Sequence, residues 1–245
     1  MDYEESLMEN DLNLTQHISR RFNEELEDVR NQVMKMGGVV EQQVSEGLKS
    51  LLDSDLVLAK KVVDNDTAVN NLEVNIDENC TQILARRQPA ASDLRLMVSI
   101  IKTITDLERI GDEAAKLGKN ALKLADDGKT ARQFVELRHL GEHVSETLNK
   151  ALTAYARLDV ETAIEIIQSD KIIDEEFDNI SRLLLTKMME DPREIKNALR
   201  ISWCARALER IGDHTKNICE YIVYLVKGKD IRHTSIDELR QVVEE

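Results

Sequence analysis

The sequence predicts an all-α protein built as two tandem, sequence-related three-helix bundles, with six long helices in all. Composition is the first reason. The 245 residues hold only 2 prolines and 9 glycines, with 33% charged and 3% aromatic side chains, so helix breakers are scarce. Spacing is the second: apolar residues recur at helical intervals through six long stretches parted by short polar breaks. The third is a repeat. Leu107-Glu108-Arg109-Ile110-Gly111-Asp112 returns letter for letter as Leu208-Glu209-Arg210-Ile211-Gly212-Asp213, so the chain contains two related halves.

In chain order, helices are expected over 15–52, 55–86, 91–125, 131–157, 159–189 and 192–227. The breaks carry turn and cap residues: Asp53-Ser54-Asp55, Gln88-Pro89, Asp126-Asp127-Gly128, Leu158-Asp159 and Asp191-Pro192. At the last of these, Asp191 is expected to accept from first-turn amides, Pro192 to open the helix and Glu194 to reach back in a capping box. Each proline precedes the third helix of a half. Short connections favour antiparallel neighbours, hence an up-down-up bundle in each half. The chain thus divides into an acidic N-terminal extension at 1–14, a first bundle at 15–128, a second at 129–230 and an acidic tail at 231–245. Helices of some 30 residues are about 45 Å long, which makes each half a rod with faces left for partners.

The net charge of −14 argues against nucleic acid, because phosphate contacts need clustered Lys and Arg, and Lys60-Lys61 and Arg86-Arg87 are short doublets. The stretch from Ile218 to Val226 is interrupted by Glu220 and is far shorter than the roughly 20 apolar residues of a spanning helix. With no basic-then-apolar leader, a cytoplasmic protein is expected, meeting a membrane only through partners. Cys80, Cys204 and Cys219 fit neither a disulfide framework nor a zinc set, and read as buried thiols in a reducing compartment.

Glu108 and Asp112, and again Glu209 and Asp213, stand four residues apart and so share one helix face. In an antiparallel hairpin they come level with Asp66 and Asn70 on the second helix, and with Asp170 and Asp174 on the fifth. Each half then gathers four oxygen-bearing side chains: Asp66, Asn70, Glu108 and Asp112 in one, Asp170, Asp174, Glu209 and Asp213 in the other. Oxygen-only sets suit hard divalent cations, Mg²⁺ or Mn²⁺, with Fe as a further possibility where carboxylates bridge. Without a cation, each like-charged i,i+4 pair costs roughly 0.2–0.5 kcal/mol. The bland alternative supplies the opposing charge from Arg109, Arg210, Lys116 or Lys216. Asn70 leaves the first set with less charge, and His214, next to Asp213, is expected to point away from the acidic face. Gly111 and Gly212 read as tight packing between neighbouring bundles, or as room for bound water or an anion. His139 and His143 read as an exposed face, Trp203 as core or bundle-interface packing, and Met34, Met36, Met188 and Met189 as core filler.

The repeated hexapeptide, the pair Asp66-Thr67-Ala68-Val69-Asn70 and Asp170-Lys171-Ile172-Ile173-Asp174, and Arg87-Gln88-Pro89 together resemble the PhoU family over His17 to His233. These are accessory proteins of bacterial phosphate-specific transport. The resemblance implies two three-helix bundles with Glu/Asp-xxx-Asp motifs that bind metals; Asn70 departs from that pattern. It also implies a homodimeric regulator without catalytic activity, acting between the phosphate ABC transporter, through its ATPase subunit PstB, and the sensor kinase PhoR. Its expected effect is to restrain the phosphate-starvation (Pho) regulon and phosphate uptake when phosphate is plentiful. Two other classes compete. A carboxylate-bridged metalloenzyme is disfavoured because Gly111 and Gly212 stand where Glu-x-x-His bundle sites carry histidine. A structural scaffold whose acids bind nothing would give a flat titration with Mg²⁺ and Mn²⁺.

Overall fold

The computed structural model describes residues 20–87 and 89–232. These form α1 (Arg20–Asp53), α2 (Leu56–Arg87), α3 (Ala91–Asp126), α4 (Val135–Arg157), α5 (Val160–Glu190) and α6 (Ile195–Lys227), with a 3₁₀ turn at Pro192–Glu194 leading into α6. No strand occurs among the described residues, and no helix there is long and apolar enough to cross a membrane. The acidic extension at 1–14, residues 15–19 of the first expected helix, Gln88 and the tail beyond Arg232 lie outside the described residues.

Local chemistry sets the helix starts. Asp55 Oδ1 accepts from the N–H groups of Val57 and Leu58 and caps α2. Asp159 does the same for α5, accepting from Thr162 N–H and hydroxyl. The fourth helix begins four residues later than periodicity suggests. Thr130 Oγ1 accepts from Arg132 N–H and Ala131 O from Phe134 N–H, so this segment closes local turns while Ala131 and Phe134 enter the core. At α6 the capping box does not form. Asp191 accepts from Arg193 N–H as expected, but Glu194 bonds Lys129 and Asn197 instead of reaching back, and Pro192 opens a 3₁₀ turn.

α1 and α2 pack on α3, and α4 and α5 on α6, giving the two expected bundles. The bundles lie side by side through α3 against α6 and α1 against α4. A single apolar core therefore runs through both, from Val33, Met36 and Val40 to Leu148, Leu208 and Ile211. Arg87, in the motif before Pro89, makes a two-pronged contact with Glu25 (2.7 and 2.9 Å) that ties the end of α2 to the start of α1. Across the seam, buried Asp106 of α3 accepts three bonds from α6: His214 Nδ1 at 2.7 Å, Asn217 Nδ2 at 3.2 Å and Tyr221 Oη at 2.8 Å. Arg210 also crosses to Glu113, at 3.2 Å.

Two packing expectations change. Trp203 is 54% exposed, and Met189, at the end of α5, is 77% exposed, while Met36 is fully buried and Met34 and Met188 pack against the core edge. Ile201, Cys204, Ala205 and Leu208 fill the inward face of α6, which turns Trp203 outward. The three cysteines are buried and free, and burial pushes the Cys80 and Cys204 thiols up to about 12, so neither is a thiolate at neutral pH.

Candidate metal centres on the two repeated hairpins

Two glycines set how closely the motif helices approach their partners. A Cβ on Gly111 would meet Val69 Cγ1 at 3.2 Å, and one on Gly212 would meet Ile173 Cδ1 and Cγ2 at 3.2 Å. The tight packing expected between bundles is thus found within each hairpin, α3 on α2 and α6 on α5. Val69 and Ile173 are buried β-branched residues with little rotamer freedom, so neither can retreat. Alanine would gain up to about 1 kcal/mol of helix propensity and meet an overpacking cost of about 1–3 kcal/mol. Gly111→Ala and Gly212→Ala should each lower stability by roughly 1 kcal/mol, read as a lower urea midpoint at unchanged slope; a raised midpoint would show that the hairpin yields.

These contacts place the carboxylates. In the first hairpin, burial and the neighbouring Asp112 push the Asp66 carboxyl above its ordinary range. Burial, Asp112, Glu73 and Asp66 do the same to Glu108. In the second, burial and Asp170 raise Asp174; burial, Asp213 and Asp174 raise Glu209; burial, Asp170 and Asp174 raise Asp213. Asp66 with Glu108 and Asp112, and Asp170 and Asp174 with Glu209 and Asp213, thus act on one another as like charges within each hairpin. Asn70 lies on the same face, and its Oδ1, like Asp66 Oδ1 and Glu209 Oε2, is buried without a hydrogen-bond partner. Unpartnered buried oxygens beside like charges are what a hard cation would satisfy. Among the described residues no three His, Cys, Asp or Glu side chains stand together as a ready-made metal site.

The halves differ in what opposes the charge. Lys216 Nζ donates to Asp170 Oδ2 at 2.7 Å, within the second set. Three residues past Asp112, the same place holds Ala115, and the cation that eases Asp66 is Lys119. Lys116 and Arg210 are both committed to Glu113, and Arg109 and Arg210 ease Glu108 and Glu209 only as minor influences. His214 faces away, to Asp106, as expected. His139 is exposed, but His143 is half-buried and 3.3 Å from Glu176. Glu73, which sequence register brings level with the motif helix but which was not counted among the ligands, and Asp178, which sequence reading missed, add charge to the first and second sets; both lie one turn past a chosen residue, Asn70 and Asp174.

A carboxyl raised in the native state binds its proton more tightly when folded. That stability is complete below the ordinary values of 3.8 and 4.5 and is lost as pH rises through the raised native values. With chelator present at neutral pH, the variant Glu108→Gln, Asp112→Asn, Glu209→Gln, Asp213→Asn should therefore be more stable than the unaltered chain, by a few tenths of a kcal/mol per relieved pair. The gain should shrink as pH falls and be lost below the ordinary value of 3.8. A variant that melts lower at neutral pH would mean the acids are already well compensated.

The family model for the PhoU domain matches this chain twice, at residues 33–121 and 137–222. The chain belongs to the PhoU family. It is 50% identical over 231 residues to the phosphate-specific transport system accessory protein PhoU homolog of Pseudomonas aeruginosa, covering 94% of this chain and 96% of that protein. To the accessory protein PhoU of Escherichia coli it is 49% identical over 236 residues, covering 95% and 96%. The crystal structure of PhoU from Pseudomonas aeruginosa superimposes with a TM-score of 0.83 at 51% identity, covering 85% of this chain and all of that one. The phosphate transport system regulatory protein PhoU from Streptococcus pneumoniae gives 0.78 at 30% identity, covering 85% and 98%. The two matched PhoU domains correspond to the two bundles, α1–α3 and α4–α6.

Proposed function

We propose that this chain is the accessory regulator of a phosphate-specific transport system. It keeps the phosphate-starvation regulon off when phosphate is plentiful, standing between the transporter ATPase PstB and the sensor kinase PhoR. Half-identity to accessory proteins of that system over nearly the whole chain carries the reading. It acts by contact, in the cytoplasm and as a homodimer. Asp66, Asn70, Glu108 and Asp112, and Asp170, Asp174, Glu209 and Asp213, would hold Mg²⁺ or Mn²⁺, with Fe the alternative where carboxylates bridge. A bound cation would neutralise the repulsion that raises their pKa values. The chain's own contribution is rigidity: Gly111 on Val69 and Gly212 on Ile173 hold each acidic face at a fixed spacing, and the Asp106 cluster holds one hairpin against the other. A change in either face is thereby passed to the surface that kinase and transporter read.

The test is a phosphate-starvation reporter in phosphate-rich medium, in cells lacking the gene. They are restored with the unaltered chain or with Glu108, Asp112, Glu209 and Asp213 all changed to Ala, at matched soluble levels. Silencing by the unaltered chain alone supports both the regulator and the acidic faces. Silencing by both versions removes the acids from signalling, and silencing by neither rejects the assignment.

A further inference from the structure

We propose that the cleft at the α3–α6 seam binds a small oxyanion that carries its own proton, with inorganic phosphate as the ligand. Arg109, Asp112, Glu113, Arg210 and His214 line this cleft, which is open to solvent and about 260 Å³ in volume. Sites for drug-sized molecules run to roughly 300–1,000 Å³, so the space suits an ion. It shares only Asp112 with the acidic sets. Glu113 meets Arg210, while Asp106 meets His214, Asn217 and Tyr221, so α3 and α6 pass each other antiparallel here. The repeat's offset of 101 residues carries Arg210 and Glu113 onto Arg109 and His214. One arginine therefore has a carboxylate at its counterpart position, and the other has an imidazole whose Nδ1 is bonded to Asp106. Arg109 is exposed and makes no hydrogen bond or ion pair among the described residues.

Charge and hydrogen-bonding capacity identify the ligand. Glu113 is matched by Lys116 at 2.8 Å as well as by Arg210 at 3.2 Å. With Lys116 offsetting Glu113, the two guanidiniums outweigh Asp112, so the cleft favours an anion. The planar fork of arginine fits two oxygens of a tetrahedral oxyanion. Asp112 and Glu113 then select among oxyanions. An ionised carboxylate only accepts, so it repels sulfate, which has no hydrogen to give, and accepts from the P–OH that inorganic phosphate keeps at neutral pH. A phosphate monoester, with its second pKa at about 6, has mostly lost that hydrogen. His214 adds Nε2, the ring nitrogen that its bond to Asp106 leaves open.

The full chain is stripped of metal with chelator and dialysed free of it, so that no cation on the acidic sets recruits phosphate and no chelator occupies the cleft. Binding of inorganic phosphate at neutral pH and fixed chloride is followed by equilibrium dialysis, with sulfate and a phosphate monoester as competitors. Phosphate should bind saturably. Arg109→Gln should weaken binding at least about tenfold, and Arg109→Lys less, because an ammonium keeps the charge and loses the fork. Lys119→Gln, which removes an exposed cation outside the cleft, should leave binding unchanged. Sulfate and the monoester should each need about tenfold higher concentration or more to displace phosphate, and Asp112→Asn should narrow the gap for sulfate. Arg109 makes no bond that holds the fold, and an unchanged urea midpoint in its variants checks this. Absence of saturable binding, unweakened binding in Arg109→Gln, or equal competition by sulfate or the monoester each overturns the proposal. The readout is binding to the purified chain, so it can fail while the regulatory role read from the reporter stands.

Discussion

Asp106→Ala should cost the protein about 3 kcal/mol or more, the largest loss expected of any single change outside the apolar core. Removing the carboxylate leaves the donors of His214, Asn217 and Tyr221 facing a cavity at the α3–α6 seam, where water enters poorly because Asp106 is only 3% exposed. Burial, and then the hydrogen bond to this carboxylate and its charge, hold the Tyr221 phenol far above its ordinary pKa. Asp106→Asn keeps one acceptor oxygen and loses the charge, so it should fall between alanine and the unaltered chain. Urea unfolding gives the size, and amide exchange gives the place: protection should fall first along α3 and α6. A loss under about 1 kcal/mol would mean that the donors find other partners and that packing alone holds the seam.

Lys216→Ala should move stability and cation binding in opposite directions. Lys216 is partly exposed but bonded to Asp170, whose side chain is 9% exposed. Without it, Asp170 is left beside Asp174 and Asp213 without its ammonium, while Glu209 keeps its contact with Arg206. In chelator the variant should lose about 1–2 kcal/mol. With Mn²⁺ the loss should be recovered, and affinity at the second set should rise about tenfold, since an ion no longer competes with an ammonium for Asp170 Oδ2. The first set has Ala115 in that position and should be unaffected. A variant destabilised equally with and without Mn²⁺ would make Lys216 the permanent counter-ion of the site.

Much of this architecture was legible because long helices with few breaks leave little freedom. The turns at Asp55, Asp159 and Asp191 locate the helix starts, and a short connection fixes which residues of α5 stand level with which of α6. Counting outward from Gln88, and carrying the result across the repeat, brings Asp170 and Asp174 level with Asp213 and Glu209. What was not legible has physical reasons. Trp203 lies beside a second apolar row, Ile201, Cys204 and Leu208, and apolar spacing alone does not say which row faces inward. Met189 sits past the last contact of α5 with the core. Asp106 gave no local signal, because its three partners lie more than 100 residues away on the other bundle. Glu194 was assigned to its own helix start, whereas Lys129 and Asn197 offered it stronger partners.

The two halves meet through equivalent helices, α3 and α6, much as two copies of one chain meet in a symmetric dimer. In such a dimer every substitution appears on both sides at once. Covalent joining lifts that restriction. One half can carry Ala115, Asn70 and Lys102 while the other carries Lys216, Asp174 and Trp203. A duplicated scaffold can therefore give its two acidic faces different charges and counter-charges, a divergence closed to an identical pair.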